Sequence, residues 1–162
     1  MVKLKKLRTL EELKEIVDRL KAQDKRVIFA NGCFDVLHGG HASYLKASRE
    51  AGDCLIVAVN SDASMRALKG DDRPIMPEQE RLILLDAIRY VDHLILFEET
   101  TVMGLLETLR PHVHAKGTDY TIETVPERET TRALGIEVII AGAPKENASR
   151  DIIARIRRDY RG

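Results

Sequence analysis

The sequence predicts an α/β fold, a single open sheet of parallel strands with helices on both faces. Two observations predict it. Five short apolar runs, at 26–30, 54–60, 93–97, 112–116 and 137–141, recur along the chain, and stretches of helical character lie between them. Several of these runs are nearly unbroken in Val, Ile and Leu, the pattern of strands buried on both sides. With 162 residues and a hydrophobic fraction of 44%, the chain can build one core. It carries no repeat, low-complexity tract or domain-sized linker, so one domain over 1–162 is expected.

The elements follow in order. Thr9 and Glu12 have the spacing of a capping box, and Leu10, Leu13, Val17 and Leu20 then share one face, which predicts a helix over about 9–22. "RVIFA" is the first strand. A helix begins at Gly40 or His41 and runs to about Glu50, where "AGD" punctuates it. "CLIVAVN" is the second strand, followed by a polar connection, "SDASMRALKGDDRPIM", whose latter part Gly70 and Pro74 make loop-like. Pro77 suits the first position of a helix reaching about Tyr90, because its missing N–H would have no partner there. "HLILF" is the third strand, with a short helix over 101–109. "HVHAK" is the fourth strand, with a helix over 124–134. "EVIIA" is the fifth, and a helix over 149–158 closes the chain. Right-handed crossovers place every strand exit at one edge of a Rossmann-like sheet, where open α/β folds take their ligands. The polar clusters follow strands one, two, four and five, at that edge.

Charge narrows the function classes. Lys plus Arg and Asp plus Glu each total 26, and aromatic residues make up 4%. Without a net field or basic stripes interleaved with stacking side chains, a nucleic-acid partner is disfavoured, whereas a small phosphorylated ligand needs only a few placed donors. Charges interrupt the leading "MVKLKKLRTLEELKEIV", and no apolar stretch reaches membrane-spanning length, so a cytoplasmic location without a membrane partner is expected. Cys33 and Cys54 are expected as free thiols in such a chain.

The chemistry concentrates after the first strand, in "NGCFDVLHGGH". Glycines let the backbone turn closely and aim N–H groups at a ligand, and a helix starting near Gly40 adds unpaired amides suited to an anion. His38 and His41 are three apart, so on a helical turn both imidazoles face one side as donors to phosphate oxygens. Asp35 sits badly beside phosphate unless it faces sugar hydroxyls or a metal. The stretch lacks the Gly-Lys-Ser/Thr ending of a Walker loop and the glycine spacing of a dinucleotide fingerprint. A zinc site from Cys33, His38 and His41 is disfavoured, because nothing else completes a ligand set. Cys33 reads as a small residue in a tight turn. His112 and His114 alternate along the fourth strand and read as packed residues, with His114 a candidate to approach a base.

"NGCFDVLHGGH" resembles the signature of the HxGH nucleotidyltransferase superfamily, the cytidylyltransferase-like group. The similarity continues through "VAVNSD", "LKGDDRPIMPEQERLILLDAIRYVD" and "KGTDY". The ordered set is similar to the adenylyltransferases that make ADP-heptose from D-glycero-β-D-manno-heptose 1-phosphate, over nearly the whole chain. In many bacteria such domains are fused to a sugar kinase, so this chain resembles the free-standing form. The resemblance implies ATP and a sugar 1-phosphate as substrates, Mg²⁺ with the ATP, a homodimer, and functional pairing with a separate heptose kinase.

It also implies roles. The backbone at Cys33 and Phe34 would meet the α-phosphate, while His38 and His41 would bind the triphosphate and stabilise the transition state. Lys69 and Arg81 would neutralise and reach phosphates, with Arg73 shaping the loop and Asp35 turned toward the acceptor. Lys116 and Gly117 would border the nucleotide, and the strand exit near Ala141 would help enclose the base. The family places a Ser/Thr run at the start of the last helix. Here "NASRDII" leaves Ser149 as the only hydroxyl, with Arg150 beside it as a compensating charge. Two rival readings remain at this level: a cytidylyltransferase acting on glycerol 3-phosphate or a related alcohol phosphate, and a non-catalytic nucleotide-binding regulatory domain.

Overall fold

Helices α1 (Leu10–Ala22), α2 (Gly39–Glu50), α3 (Asp62–Lys69), α4 (Glu78–Ala87), α5 (Met103–Leu109), α6 (Arg128–Ala133) and α7 (Ser149–Asp159) surround strands β1 (Val27–Gly32), β2 (Cys54–Asn60), β3 (His93–Phe97), β4 (Val113–Gly117) and β5 (Glu137–Ala141). The computed structural model describes residues 3–144 and 148–160. All four strand pairings are parallel, in the order β3-β2-β1-β4-β5. Strand order reverses between β1 and β4, which places the crevice of an open sheet at the β1 exit.

Strand alternation splits the core in two. Ile28, Ala30, Leu55, Val57 and Val113 pack with Tyr44 and Leu45 of α2 and with Leu82 and Leu85 of α4. Val27, Phe29, Ile56 and Ala58 face the other way, onto Leu13 and Val17 of α1 and Leu105, Leu106 and Leu109 of α5. The sheet is covered on both faces, as its unbroken apolar strands require. The capping box of α1 forms: the Thr9 hydroxyl accepts from the Glu12 amide at 3.2 Å, and the Thr9 amide donates to the Glu12 carboxylate at 2.8 Å.

Several boundaries differ from the sequence reading. The first half of the connection after β2 is α3, capped by the Ser61 hydroxyl accepting from the Ser64 amide and anchored by buried Met65. Its charged residues disguise a helix with only one inward face. The helix after Pro77 stops at Ala87, where Ile88 turns extended. The helix read over 124–134 is divided between a 3₁₀ turn, Ile122–Thr124, and the shorter α6. Pro126 separates them, since it cannot donate a helical hydrogen bond.

Candidate active site

The loop from Cys33 to His38 leaves β1 under strain. Phe34 and Val36 both hold positive φ, +52° and +48°. A β-branched residue rarely adopts this conformation, and such strain persists only where surrounding contacts over-determine it. Those contacts are present. The Asp35 carboxylate, almost fully buried, accepts from the Arg73 guanidinium at 2.8 Å, the Met76 amide at 2.9 Å and the Ile75 amide at 3.1 Å. Burial pushes its pKa up, but the two amides and Arg73 outweigh that and hold it below the usual carboxylate range.

Arg81 lies beneath the loop with its side chain fully buried. Its guanidinium donates to the Cys33 carbonyl at 2.6 Å, the Asn60 carbonyl at 2.8 Å, the Met76 carbonyl at 3.0 Å and the Asp62 carboxylate at 2.8 Å. The resemblance implied a side chain reaching out to phosphates; in this structure it points inward and joins the exits of β1 and β2. Asp35 likewise binds the 73–76 loop.

His38 and His41 open α2. The Gly40 amide donates to His38 Nδ1 at 3.0 Å, and the His38 amide donates to His41 Nδ1 at 3.4 Å. With both Nδ1 atoms accepting, the neutral rings carry their protons on Nε2. The ring centroids lie 4.0 Å apart, and His41 also packs against Phe34 at 5.4 Å. The first turn of α2 holds no acidic residue. A side chain at Gly39 would meet nothing within 4 Å, so glycine there leaves the helix end open to an approaching anion.

At the neighbouring exit, Lys116 is buried and pairs with Glu127 at 3.3 Å, with its ammonium 4.8 Å from the Tyr120 ring centroid. The Asn31 side-chain oxygen lies 3.4 Å from that ammonium and 2.9 Å from His114 Nε2. His114 is fully buried, and burial, aided by Lys116, drives its pKa down to about 3. It is a neutral support behind the strand exits. His112 instead accepts from the Val27 amide through Nδ1 at 3.0 Å, outside β4. Gly117 has open space where a side chain would stand.

The last helix meets the first loop directly. The Ser149 hydroxyl donates to the Asp35 carbonyl at 2.6 Å, so in this structure its proton is committed to the protein. Arg150 is largely exposed beside it, pairing with Asp151. Lys69, at the end of α3, lines a cleft with Arg73 and Arg150. The β5 exit is fixed by the Ala143 amide donating to the Ser43 hydroxyl and by Gly142, whose positive φ of +98° sets its α-hydrogens against the Tyr44 backbone. Cys33 and Cys54 are free thiols; Cys33 Sγ lies 3.7 Å from Asn60 Oδ1, and burial pushes the Cys54 thiol up to about 12.

The sequence reading did not single out Asn31, Asn60, Asp62 or Glu127. Asn31 and Asn60 were visible as polar residues closing apolar strands. Glu127 becomes a partner of Lys116 only through the turn at Ile122–Thr124, which no local pattern announces.

Residues 29–156 match the family model described as Cytidylyltransferase-like. The chain belongs to that family. Among curated relatives it is 43% identical over 155 residues to the Bifunctional protein HldE of Geobacter sulfurreducens, an alignment covering 96% of this chain and 32% of that protein. The HldE of Helicobacter acinonychis is 41% identical over 155 residues, with the same coverage of each. The chain thus spans about a third of the length of these relatives. A solved lipopolysaccharide core biosynthesis protein from Thermoplasma volcanium superposes with a TM-score of 0.62 at 28% identity, covering 75% of this chain and 99% of its own. Pantothenate synthetase from Thermus thermophilus shares the fold, with a TM-score of 0.64 at 18% identity over 91% of this chain and 67% of its own. In a cytidylyltransferase-like protein, the histidine pair and α2 amides at the β1 exit occupy the position where the open sheet takes its ligand.

Proposed function

We propose that this chain is an adenylyltransferase that transfers AMP from ATP to D-glycero-β-D-manno-heptose 1-phosphate, giving ADP-heptose and pyrophosphate, and that residues 1–162 act as one nucleotidyltransferase domain. The observation that carries the reading is the imidazole pair at the start of α2, with both Nδ1 atoms accepting backbone hydrogen bonds and open space beside Gly39. The similarity to HldE proteins and the ordered motifs support the acceptor. The HldE relatives also support functional pairing with a heptose kinase, and the motifs a homodimer. No helix among the described residues is long and apolar enough to cross a membrane.

The acceptor phosphate is already an anionic nucleophile at neutral pH, so the residues need only align and neutralise. One acceptor oxygen approaches the α-phosphorus in line, and the bond to the bridging oxygen of pyrophosphate breaks opposite it. The Nε2–H groups of His38 and His41 donate to phosphate oxygens where charge builds, and the amides at Cys33 and Phe34 hold the α-phosphate. Lys69 and Arg150 add charge from the cleft side. Arg81 and Asp35 serve as positioning residues, holding the strained loop so its amides need no rearrangement. Lys116 and Gly117 border the nucleotide. Both Asp35 oxygens are already engaged, which fits a Mg²⁺ ion carried in on the triphosphate. That ion would supply charge neutralisation of the phosphates, while Asp35, committed to Arg73 and the Met76 amide, would stay a positioning residue.

Pyrophosphate release, measured for ATP and CTP against heptose 1-phosphate and glycerol 3-phosphate, tests the reading. Release with ATP and the heptose phosphate is expected. Turnover with CTP and glycerol 3-phosphate would replace it with the cytidylyltransferase reading, and nucleotide binding without release would make the domain regulatory.

A further inference from the structure

Two asparagines close neighbouring strands, and they differ in how much of the carboxamide is engaged. Asn60, the last residue of β2, is buried; its nitrogen donates to the Ser64 hydroxyl at 2.9 Å and its oxygen faces Cys33 Sγ at 3.7 Å. Asn31, one residue before the end of β1, is half-buried and uses its oxygen alone. That oxygen lies 2.9 Å from His114 Nε2 and 3.4 Å from the Lys116 ammonium. An ammonium has no lone pair, so the atom facing it is the oxygen and the carboxamide has one orientation. His114, fully buried and neutral, therefore carries its proton on Nε2, and its Nδ1 is left buried without a partner. A buried polar atom left unpaired is costly, and the bond this ring does make is the one that holds Asn31.

The carboxamide is planar, so an oxygen fixed toward β4 turns the nitrogen away from that strand. Among the described residues this nitrogen has no hydrogen-bond partner. Its surroundings indicate what it meets. Lys116 is a donor only, the Glu127 carboxylate is engaged by Lys116, and Gly117 leaves open space. A base edge or a sugar hydroxyl mixes donors with acceptors, whereas a phosphate oxygen only accepts. Two residues beyond Asn31 the strained turn at Cys33 and Phe34 begins. We propose that Asn31 is a further nucleotide-binding residue whose Nδ2–H donates to a non-bridging oxygen of the α-phosphate, with His114 and Lys116 as the positioning residues that aim it. The inference rests on the nucleotidyltransferase reading and deepens it, since a neutral donor fixed before the ligand arrives adds to the amides of the turn.

Asn31→Asp tests this, because it keeps an oxygen for His114 and Lys116 and replaces the donor nitrogen by a second oxygen that repels phosphate. Calorimetric titration with AMP, which carries the α-phosphate alone, and with adenosine, which lacks it, isolates the contact. N31D is expected to bind AMP roughly tenfold or more weakly than the parent and adenosine equally well, with no fall in melting temperature. N31A, which removes the donor without adding charge, is expected to weaken AMP by about threefold. In pyrophosphate release with ATP and heptose 1-phosphate, N31D is expected to lower kcat by about 10²-fold. His114→Leu, which frees the carboxamide to rotate, should lower kcat several-fold, and H114Q, whose own amide can donate to Asn31, should restore it. Undiminished AMP affinity in N31D overturns the inference, and so does an equal loss for adenosine or a parent that prefers AMP no more than adenosine. A selective loss of AMP affinity in N31D, in a parent that releases no pyrophosphate, would keep the contact and remove the catalytic reading. Release by the parent with N31D unaffected would do the reverse.

Discussion

At the scale of single residues, the site depends on groups that already have partners. Both histidines use Nδ1 to finish the α2 terminus, which orients the Nε2 protons before any substrate arrives. His38→Ala or His41→Ala is expected to lower kcat by roughly 10²–10³-fold, the usual consequence of losing one preorganised donor. Steady-state pyrophosphate assays check this, with melting temperatures close to that of the parent protein. Arg81 should respond in the opposite way. Arg81→Ala would leave the Cys33 and Asn60 carbonyls without their buried donor and remove the partner of Asp62. A loss of about 3–5 kcal/mol in urea unfolding is expected, the cost of breaking a buried ion pair from one side.

At the scale of elements, the strands and most helices were legible because a parallel sheet buried on both faces leaves an unmistakable apolar signature. The capping box at Thr9 and the apolar stripe of α1 were equally plain, and the stripe has a function in the packing. Leu13 and Val17 are fully buried against Phe29 and the α5 leucines, making α1 the cover for one face of the sheet. Leu13→Ala is therefore expected to cost about 2–5 kcal/mol, read from denaturant titration. Helix α3 and the division of the 124–134 segment were not legible. In α3 a single inward face leaves mostly polar letters, and the later boundary depends on where the chain returns to β5. The site was half legible. The HxGH stretch announced itself through composition, whereas the inward turn of Arg81 and the Lys116–Glu127 pair arise only when distant exits converge.

At the scale of the whole molecule, a buried neutral histidine ties folding to pH. The pKa of His114 is lowered to about 3, while an unfolded histidine titrates near 6.5. As pH falls below that unfolded value, the unfolded chain takes a proton that the folded chain refuses, so stability is full above about 6.5 and drains away toward about 3, by up to about 1.4 kcal/mol per pH unit. His93 and His112, also lowered chiefly by burial, act in the same direction. Asp35 joins at the acid end: its depressed pKa contributes stability above the unfolded aspartate value of about 3.9, lost as pH falls through the folded one. Urea titrations at pH 7.5 and 5.0 should show the parent protein more stable at the higher pH, and His114→Gln should narrow the gap.

One aspartate fastens two walls of the same opening. Its carboxylate grips the segment carrying Arg73, while its own carbonyl receives the Ser149 hydroxyl at the head of α7. Both banks thus share one anchor, and the backbone at position 35 is the point through which they are tied to the exit of β1.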